Sequence, residues 1–360
     1  MKTIKKITAA VLGLTITASF AACGENTAIV ANYGSHELAA GVYIINQQNA
    51  YFELSDDVID TETDVWSKTK DGMTAEEYIS TTAKKESAEH LAIMSKFDEL
   101  GLEWTEIDED GVMSLAEYYY GSEAYGALYT ENGISVNSVK EVFEKNQKYD
   151  AIFNAYYGDG GLEEVSQKEL EKAFEEKYAR VYYIPVTLKD GEGNLLKGTD
   201  KTDRINMAKD YVAEATKDNI IDLMIEHANF ENKLAADAQG KEFTPFEYDP
   251  LTEEEEYPFE TIVYADMGSS ISSTAIEKIL AHKNDEKAYL IEEDEVCYVV
   301  MNLDISERDD VYEQVENSLL SDMKGEEFDT LVAGWTADAE AQIEWNQEAV
   351  DRYKPTNLKV

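Results

Sequence analysis

Positive charge is scarce in this sequence. Its 360 residues hold 31 Lys and Arg against 75 Asp and Glu, a formal balance of -44. A chain this negative is repelled by nucleic-acid phosphates and by anionic lipid headgroups unless a local basic patch intervenes. No such patch occurs beyond the first six residues, so no nucleic-acid partner is expected. The two Cys exclude a disulfide framework and a Cys-based zinc cluster. Only four His are present, at 36, 90, 227 and 282, and none forms a ligand pair at helical or strand spacing. That leaves little for zinc or for imidazole acid–base chemistry, and no cofactor is expected. With 5 Pro and 20 Gly, the chain is also poor in the residues that repeated βα units in two lobes require, which weighs against a solute-binding lipoprotein of a transporter.

What is present begins with a core. The hydrophobic share is 43%, enough to exclude wholesale disorder, and the length allows two or three domains. Lys2, Lys5 and Lys6 precede an uncharged stretch, Ile7 to Ala22, too short and too abruptly ended for a transmembrane span. It reads as a secretory signal over residues 1–22. Its end, Phe20-Ala21-Ala22-Cys23-Gly24, resembles the lipobox of bacterial lipoproteins, with Phe20 where Leu is usual. The resemblance implies a diacylglyceryl thioether on Cys23, which becomes the mature N-terminus, and a tether over residues 23–27. The plainer alternative is an ordinary signal peptide with an incidental Cys. Cleavage leaves 28 cations against 75 anions, a balance of -47, on a chain anchored by lipid to the extracytoplasmic face of a bacterial cell membrane. The remaining thiol, Cys297, sits in the apolar run Val296 to Met301 and is expected to be buried in a strand.

Periodicity organises the rest. A strand over Ala28 to Asn32 and a turn at Gly34 lead to a helix from Glu37 to about Leu54. Residues 55–75 read as a loop, followed by a helix from Ala75 to Leu100 that stops at Gly101. Val139, Val142, Phe143, Tyr149, Ile152, Phe153 and Tyr156 form an amphipathic stripe, with a capping-box spacing at Ser138 and Glu141. A second such pair, Ser166 and Glu169, opens a helix that carries Leu170, Phe174 and Tyr178. The period then changes to an aromatic, β-branched strand from Val181 to Leu188, in which Pro185 predicts an edge or a bulge. Next come a Gly-bearing loop over Lys189 to Lys201 and a helix from Asp203 to His227, which would place His227 at a helix end. Residues 228–272 read as irregular, with Glu253 to Glu256 as a solvated acidic run. A helix over Thr274 to His282, strands near Ala288–Ile291 and Val296–Leu303, and a helical tail complete an α+β architecture.

This order resembles that of the PrsA/SurA-type extracytoplasmic foldases. Carrying it are Ala28 to Gly34 with Glu37-Leu38, Leu100-Gly101-Leu102, Asn132 to Ser135, Glu176 to Ile184, Ala275-Ile276 with Leu280, Glu286, and Cys297 to Val300. The resemblance implies a helical SurA-N-like chaperone domain over residues 28–179, an inserted parvulin-like α/β domain over 180–305, and C-terminal helices over 306–360 that close the chaperone domain. Active parvulins place a His in the first strand and another in the last, facing each other near the prolyl ring. Tyr183 and Val299 occupy those positions here. Isomerisation has a barrier of about 18–20 kcal/mol, and its catalysis needs hydrogen bonds to the twisted amide that Val299 cannot make. The family's Gly-Gly-Asp-Leu-Gly segment is missing too, with Gln239 to Phe243 the nearest remnant. Isomerase activity is therefore expected to be lost or weak, the alternative being a working peptidyl-prolyl isomerase.

Two further constellations invite chemistry. Glu106, Asp108, Asp110, Gly111 and Glu117 match positions 1, 3, 5, 6 and 12 of a calcium loop, although a capped helix start accounts for the same residues. Tyr118, Tyr119, Tyr120, Tyr125, Tyr156 and Tyr157 lie in the presumed chaperone part. They suit either core packing or an amphipathic surface that holds unfolded or newly secreted polypeptides as clients.

Overall fold

The computed structural model describes residues 28–56, 64–248, 257, 259–265, 267–268, 271–282 and 284–360. The signal segment, Cys23, its tether and the run Glu253 to Glu256 lie outside them. The chain divides into two compact units, Met1–Tyr156 with Glu326–Val360 (unit 1) and Tyr157–Gly325 (unit 2). The class is α+β, and among the described residues no helix is long and apolar enough to cross a membrane.

Unit 1 opens with β1 (Ile29–Tyr33) and β2 (His36–Ala39), antiparallel about Gly34 at φ 60°. The expected helix start at Glu37 is thus a strand, because Leu38 pairs with Ala31 and is fully buried. Helix α1 (Ala40–Asp56) follows. Part of the expected loop over 55–75 is ordered as a hairpin, β3 (Thr69–Lys70) and β4 (Met73–Thr74). Its turn, Asp71-Gly72, takes φ values of 52° and 78°, the left-handed pair that favours Asp-Gly. Thr74 and Glu77 then form a full capping box on α2 (Ala75–Glu99), which ends before Gly101 at φ 67°. Helices α3 (Glu106–Tyr120), α4 (Gly126–Glu131) and α5 (Val136–Tyr157) complete the N-terminal part. The cap of α5 is Ser135, whose Oγ accepts from the Ser138 N–H at 3.2 Å. Ser138, expected to cap, is instead buried inside the helix against Gly41 of α1.

Unit 2 begins with α6 (Gln167–Lys177), whose capping box pairs Ser166 with Glu169 as expected. Strand β5 (Tyr178–Thr187) takes in Tyr178, which the helical spacing had claimed. Helices α7 (Gly198–Glu214) and α8 (Ile220–Ala238) replace the single expected helix. The break is made by Asn219, whose Oδ1 accepts from the N–H and the hydroxyl of Thr216 at 2.6 and 2.9 Å. The stretch expected to be irregular holds the rest of α8 and β6 (Thr261–Tyr264). Helix α9 (Ser273–Leu280) and the pair β7 (Ala288–Glu292) and β8 (Val296–Leu303) finish an antiparallel sheet of order β6-β5-β8-β7.

Strand alternation sorts that sheet into two faces. Ile184, Val186, Val299 and Met301 pack with Ala208 and Tyr211 of α7 and Leu223 of α8, whereas Val181, Val263, Tyr298 and Val300 pack with Ile276 and Ile279 of α9. Pro185 lies past the end of β6, which pairs only with Tyr178–Val181, so it occupies a one-sided stretch of an otherwise central strand. Helix α10 (Asp309–Glu340) supplies residues to both units. The short strand β9 (Glu344–Trp345) then adds to β1, giving the order β2-β1-β9, and α11 (Gln347–Arg352) packs its Ala349 and Val350 in the core of unit 1.

Buried ionisable groups give unit 1 a pH signature. Burial, then neighbouring carboxylates, push Glu86 and Glu141 up to about 7, and burial holds His90 down at about 3. His90 is buried among the residues of α2 that face the core. A raised carboxyl pKa stabilises the native state as pH falls through 7 towards the unfolded value near 4.3, whereas a depressed His pKa subtracts stability below about 6.5. Two carboxyls outweigh one imidazole. The thermal midpoint of unit 1 is expected to rise as pH is lowered from 8 to about 5 and to fall again towards 3. A scan that declines steadily from pH 8 would show these groups to be solvated.

Candidate functional site

The two positions matched to the catalytic His pair do not face each other. Tyr183 is in register with Val300 and Ile184 with Val299, so Tyr183 is on the α9 face and Val299 on the α7–α8 face. Val299 is fully buried there. The rings of Tyr183 and Tyr298 lie with centroids 6.5 Å apart.

On the α9 face an open groove of about 860 Å³ lies between the start of α9, the β7–β8 turn and the far end of β5. Pro185 and Tyr298 form its apolar part, and Glu292, Glu293, Asp294 and Glu295 line the turn. Lys189 pairs with Glu295, and the Ser272 hydroxyl donates to Glu293 at 2.6 Å. The groove is thus lined by strand residues on one side and on the other by four carboxylates together with Lys189 and Lys278.

Near the other end of β5 lies an ionic cluster that the sequence had not suggested. Glu260, almost fully buried, accepts from Arg180 Nε and Nη2 at 2.7 and 2.6 Å, and from Arg308 Nη1 at 3.1 Å. Arg180 also donates to Glu307 at 2.8 Å, and Arg308 to Asp310. Tyr257 lies under both guanidinium groups, 5.5 and 4.1 Å from its ring centre. These partners hold both arginines above their ordinary pKa, the hydrogen bonds that Arg180 donates to Glu260 and Arg308 to Asp310 leading. The only available signal was Arg180 at the head of an apolar strand.

The tyrosines divide by exposure. Tyr118 is 72% exposed, Tyr125 43% and neighbouring Leu115 38%. Tyr119 joins them, its ring 5.5 Å from Tyr118, 5.6 Å from Tyr125 and 5.3 Å from Phe143. Tyr120 turns inward, donating its hydroxyl to the Ile134 carbonyl at 3.1 Å and stacking on Tyr129. Tyr156 packs on Phe328 and Trp335. Tyr157 is fully buried, so it cannot meet a client from solvent and leaves the candidate set.

The calcium loop does not form. Residues 106–120 are helix α3, so the chain cannot wrap a cation as a twelve-residue loop does. Asp108 is occupied in a capping box, accepting from the Thr105 N–H at 2.9 Å and from its hydroxyl at 2.8 Å. Those bonds, the backbone one leading, hold its carboxyl below the usual range. Asp110 and Glu117 lie further along the same helix as Glu106. Among the described residues no group of three or more His, Cys, Asp or Glu is arranged to hold a metal. His227 lies inside α8 rather than at a helix end, and is buried. Cys297 is a buried strand residue whose thiol burial pushes up in pKa.

No family model matches the chain, and no curated protein matches it. Among solved structures it is similar to the foldase protein PrsA of Lactococcus lactis, at 12% identity and a TM-score of 0.34, over 92% of this chain and 100% of that one. The foldase protein PrsA of Streptococcus pneumoniae is 17% identical, with a TM-score of 0.33 over 80% and 98% of the two chains. The peptidylprolyl isomerase PrsA of Bacillus cereus is 12% identical, with a TM-score of 0.26 over 81% and 97%. The solved structures to which this chain is similar are thus PrsA foldase proteins from several bacteria, over most of its length.

Proposed function

We propose that this chain is a membrane-tethered extracytoplasmic foldase or chaperone that holds unfolded or newly secreted polypeptides, with prolyl isomerisation lost or weak. The observation that carries the reading is the exposed aromatic surface of Leu115, Tyr118, Tyr119 and Tyr125 in unit 1. Rings with a hydroxyl rim bury apolar client surface and still satisfy passing backbone groups, which suits many sequences rather than one. The net charge of -44 keeps such a surface soluble and draws cationic clients, an attraction that salt screens. In this reading Cys23 carries the lipid, residues 28–179 and 306–360 form the chaperone part, and residues 180–305 are a degenerate parvulin-like domain. Loss of isomerisation is supported by Tyr183 and Val299 lying on opposite faces of the sheet.

The test is aggregation of reduced lysozyme, a cationic unfolded client, in the presence of the mature chain. Tyr118→Ser with Tyr125→Ser is expected to raise the concentration needed for half-suppression about fivefold, roughly 1 kcal/mol of binding, with the thermal midpoint almost unmoved because both rings are exposed. A wild-type chain that neither slows aggregation nor binds the client would sink the reading. Catalysed isomerisation of a proline peptide, abolished by Tyr183→Phe, would replace the holding role with an enzymatic one.

A further inference from the structure

Helix α3 turns two adjacent rows of residues to solvent. Gly111, Leu115 and Tyr118 follow one another at helical spacing, and Asp110, Ser114 and Glu117 run alongside them. All six are exposed, whereas Val112 and Ala116 on the opposite side are buried. A Cβ at Gly111 would meet nothing within 4 Å, so nothing crowds the start of the apolar row. Tyr118 is the most exposed large apolar side chain among the described residues. It meets Tyr119 at 90°, with centroids 5.5 Å apart. A ring that open cannot have both faces covered, so one face is offered to solvent. Tyr119 in turn touches Tyr125, which is also exposed and stands at the start of α4.

Cations are what this surface lacks. The sequence from Phe97 to Val139 holds ten Asp and Glu and no Lys or Arg. Lys140, the first cation after it, is bonded to Glu109, and Lys359 meets the far end of α4 through its backbone, at Asn132. Asp110, Glu117 and Glu123 take part in no ion pair among the described residues. Elsewhere in unit 1 aromatic rings do carry a cation: Lys70 lies over Tyr78, Lys84 over Trp345, and Lys148 over Phe97 and Trp104. Among the described residues no Lys or Arg lies over Tyr118 or Tyr125.

We propose that this face docks an arginine-bearing stretch of extended polypeptide, with a guanidinium stacked on Tyr118 and the apolar neighbours of that arginine against Leu115. The negative face of the phenol ring attracts a cation, and the flanking carboxylates raise its local concentration. Arginine fits better than lysine. Its flat, weakly hydrated group lies on a ring while its edge still donates to carboxylate or water, whereas an ammonium gives up more of its hydration. The assignment rests on the reading that this chain holds polypeptides, and gives those clients a residue preference beyond net charge.

The probes are three capped peptides, identical except at two positions that are Arg, Lys or citrulline, the last a neutral group of nearly the same shape as Arg. The mature chain carries ring-labelled tyrosine, and the Tyr118 signal is the one lost in Tyr118→Leu. That signal is expected to shift with the arginine peptide, which should bind about threefold tighter than the lysine peptide and tighter still than the citrulline one. Tyr118→Phe keeps the ring and should keep the preference. Tyr118→Leu should level arginine with lysine and leave the circular dichroism unchanged, because the ring is exposed. Glu117→Gln with Glu123→Gln should weaken both cationic peptides alike, as should added salt. Equal binding of the arginine and lysine peptides to the parent chain overturns the proposal, and so does citrulline binding as tightly as arginine. An arginine preference that survives Tyr118→Leu combined with Tyr125→Leu overturns it too. A chain with the preference at Tyr118 but no effect on lysozyme aggregation upholds the docking face and sinks the chaperone reading; one that slows aggregation and shows no arginine preference does the reverse.

Discussion

Glu260→Ala is expected to destabilise unit 2 by about 3–5 kcal/mol, read from chemical denaturation of the mature chain. Among the described residues, Glu260 is the one carboxylate that both Arg180 and Arg308 contact, and all three side chains are largely withdrawn from water. Removing it leaves two guanidinium groups sharing the more exposed Glu307 and Asp310, a buried charge without its main partner. Tyr257 softens the loss through its ring face but cannot accept along the guanidinium edge. The ion pairs themselves need not add net stability. Replacing Arg180, Glu260 and Arg308 together by Met, Leu and Met should recover most of what the single change removes. A loss below 1 kcal/mol for Glu260→Ala would mean that water reaches the cluster and screens it.

Gly41→Ala in α1 should cost unit 1 about 1–3 kcal/mol, a fall of roughly 3–10 °C in thermal midpoint. Helix propensity alone predicts the opposite sign, since Ala is favoured over Gly by up to about 1 kcal/mol inside a helix. What decides is contact: a Cβ at position 41 would lie 2.5 Å from Ser138 Cβ and 2.1 Å from its Oγ. The hydroxyl can rotate away, but Ser138 Cβ is fixed to the backbone of α5, so the two helices must part. Ser138→Gly in the same chain should restore most of the loss. A single variant as stable as the parent would mean that α1 and α5 slide apart freely.

Local signals carried some of the helix ends. Thr74 with Glu77 and Ser166 with Glu169 reached their caps because every partner lies within three residues. Where two local patterns competed, tertiary pairing decided: Leu38 reads equally as the first turn of a helix, and the hairpin with β1 took it. The α7–α8 break lacks the Gly or Pro that marks most helix ends, and Asn219 makes it by a hydrogen bond to Thr216. The site was least legible. Arg180 and Glu260 are 80 residues apart and Arg180 and Glu307 are 127 apart, distances over which no periodicity speaks. The register that separates Tyr183 from Val299 depends on where β5 meets β8, and a shift of one residue would have reversed their faces. The tyrosines stand together in the sequence, but exposure, which separates Tyr118 from Tyr157, is a property of packing alone.

Unit 1 is sewn shut by the last residues of the chain. Ala31 of β1 pairs with Trp345, the Asn346 N–H donates to the Val30 carbonyl at 2.8 Å, and Gln47 donates to the Tyr353 carbonyl at 2.7 Å. These contacts close loops of about 300 residues, whereas unit 2 is continuous and needs nothing beyond Gly325. Closing so long a loop costs little more free energy than closing a short one, but it has to wait for both ends. A chain emerging N-terminus first therefore completes unit 2 while the edge of β1 that will take β9 is still unpaired. Until β9 arrives, that edge is open to any strand nearby, and this protein is itself in the condition of a client.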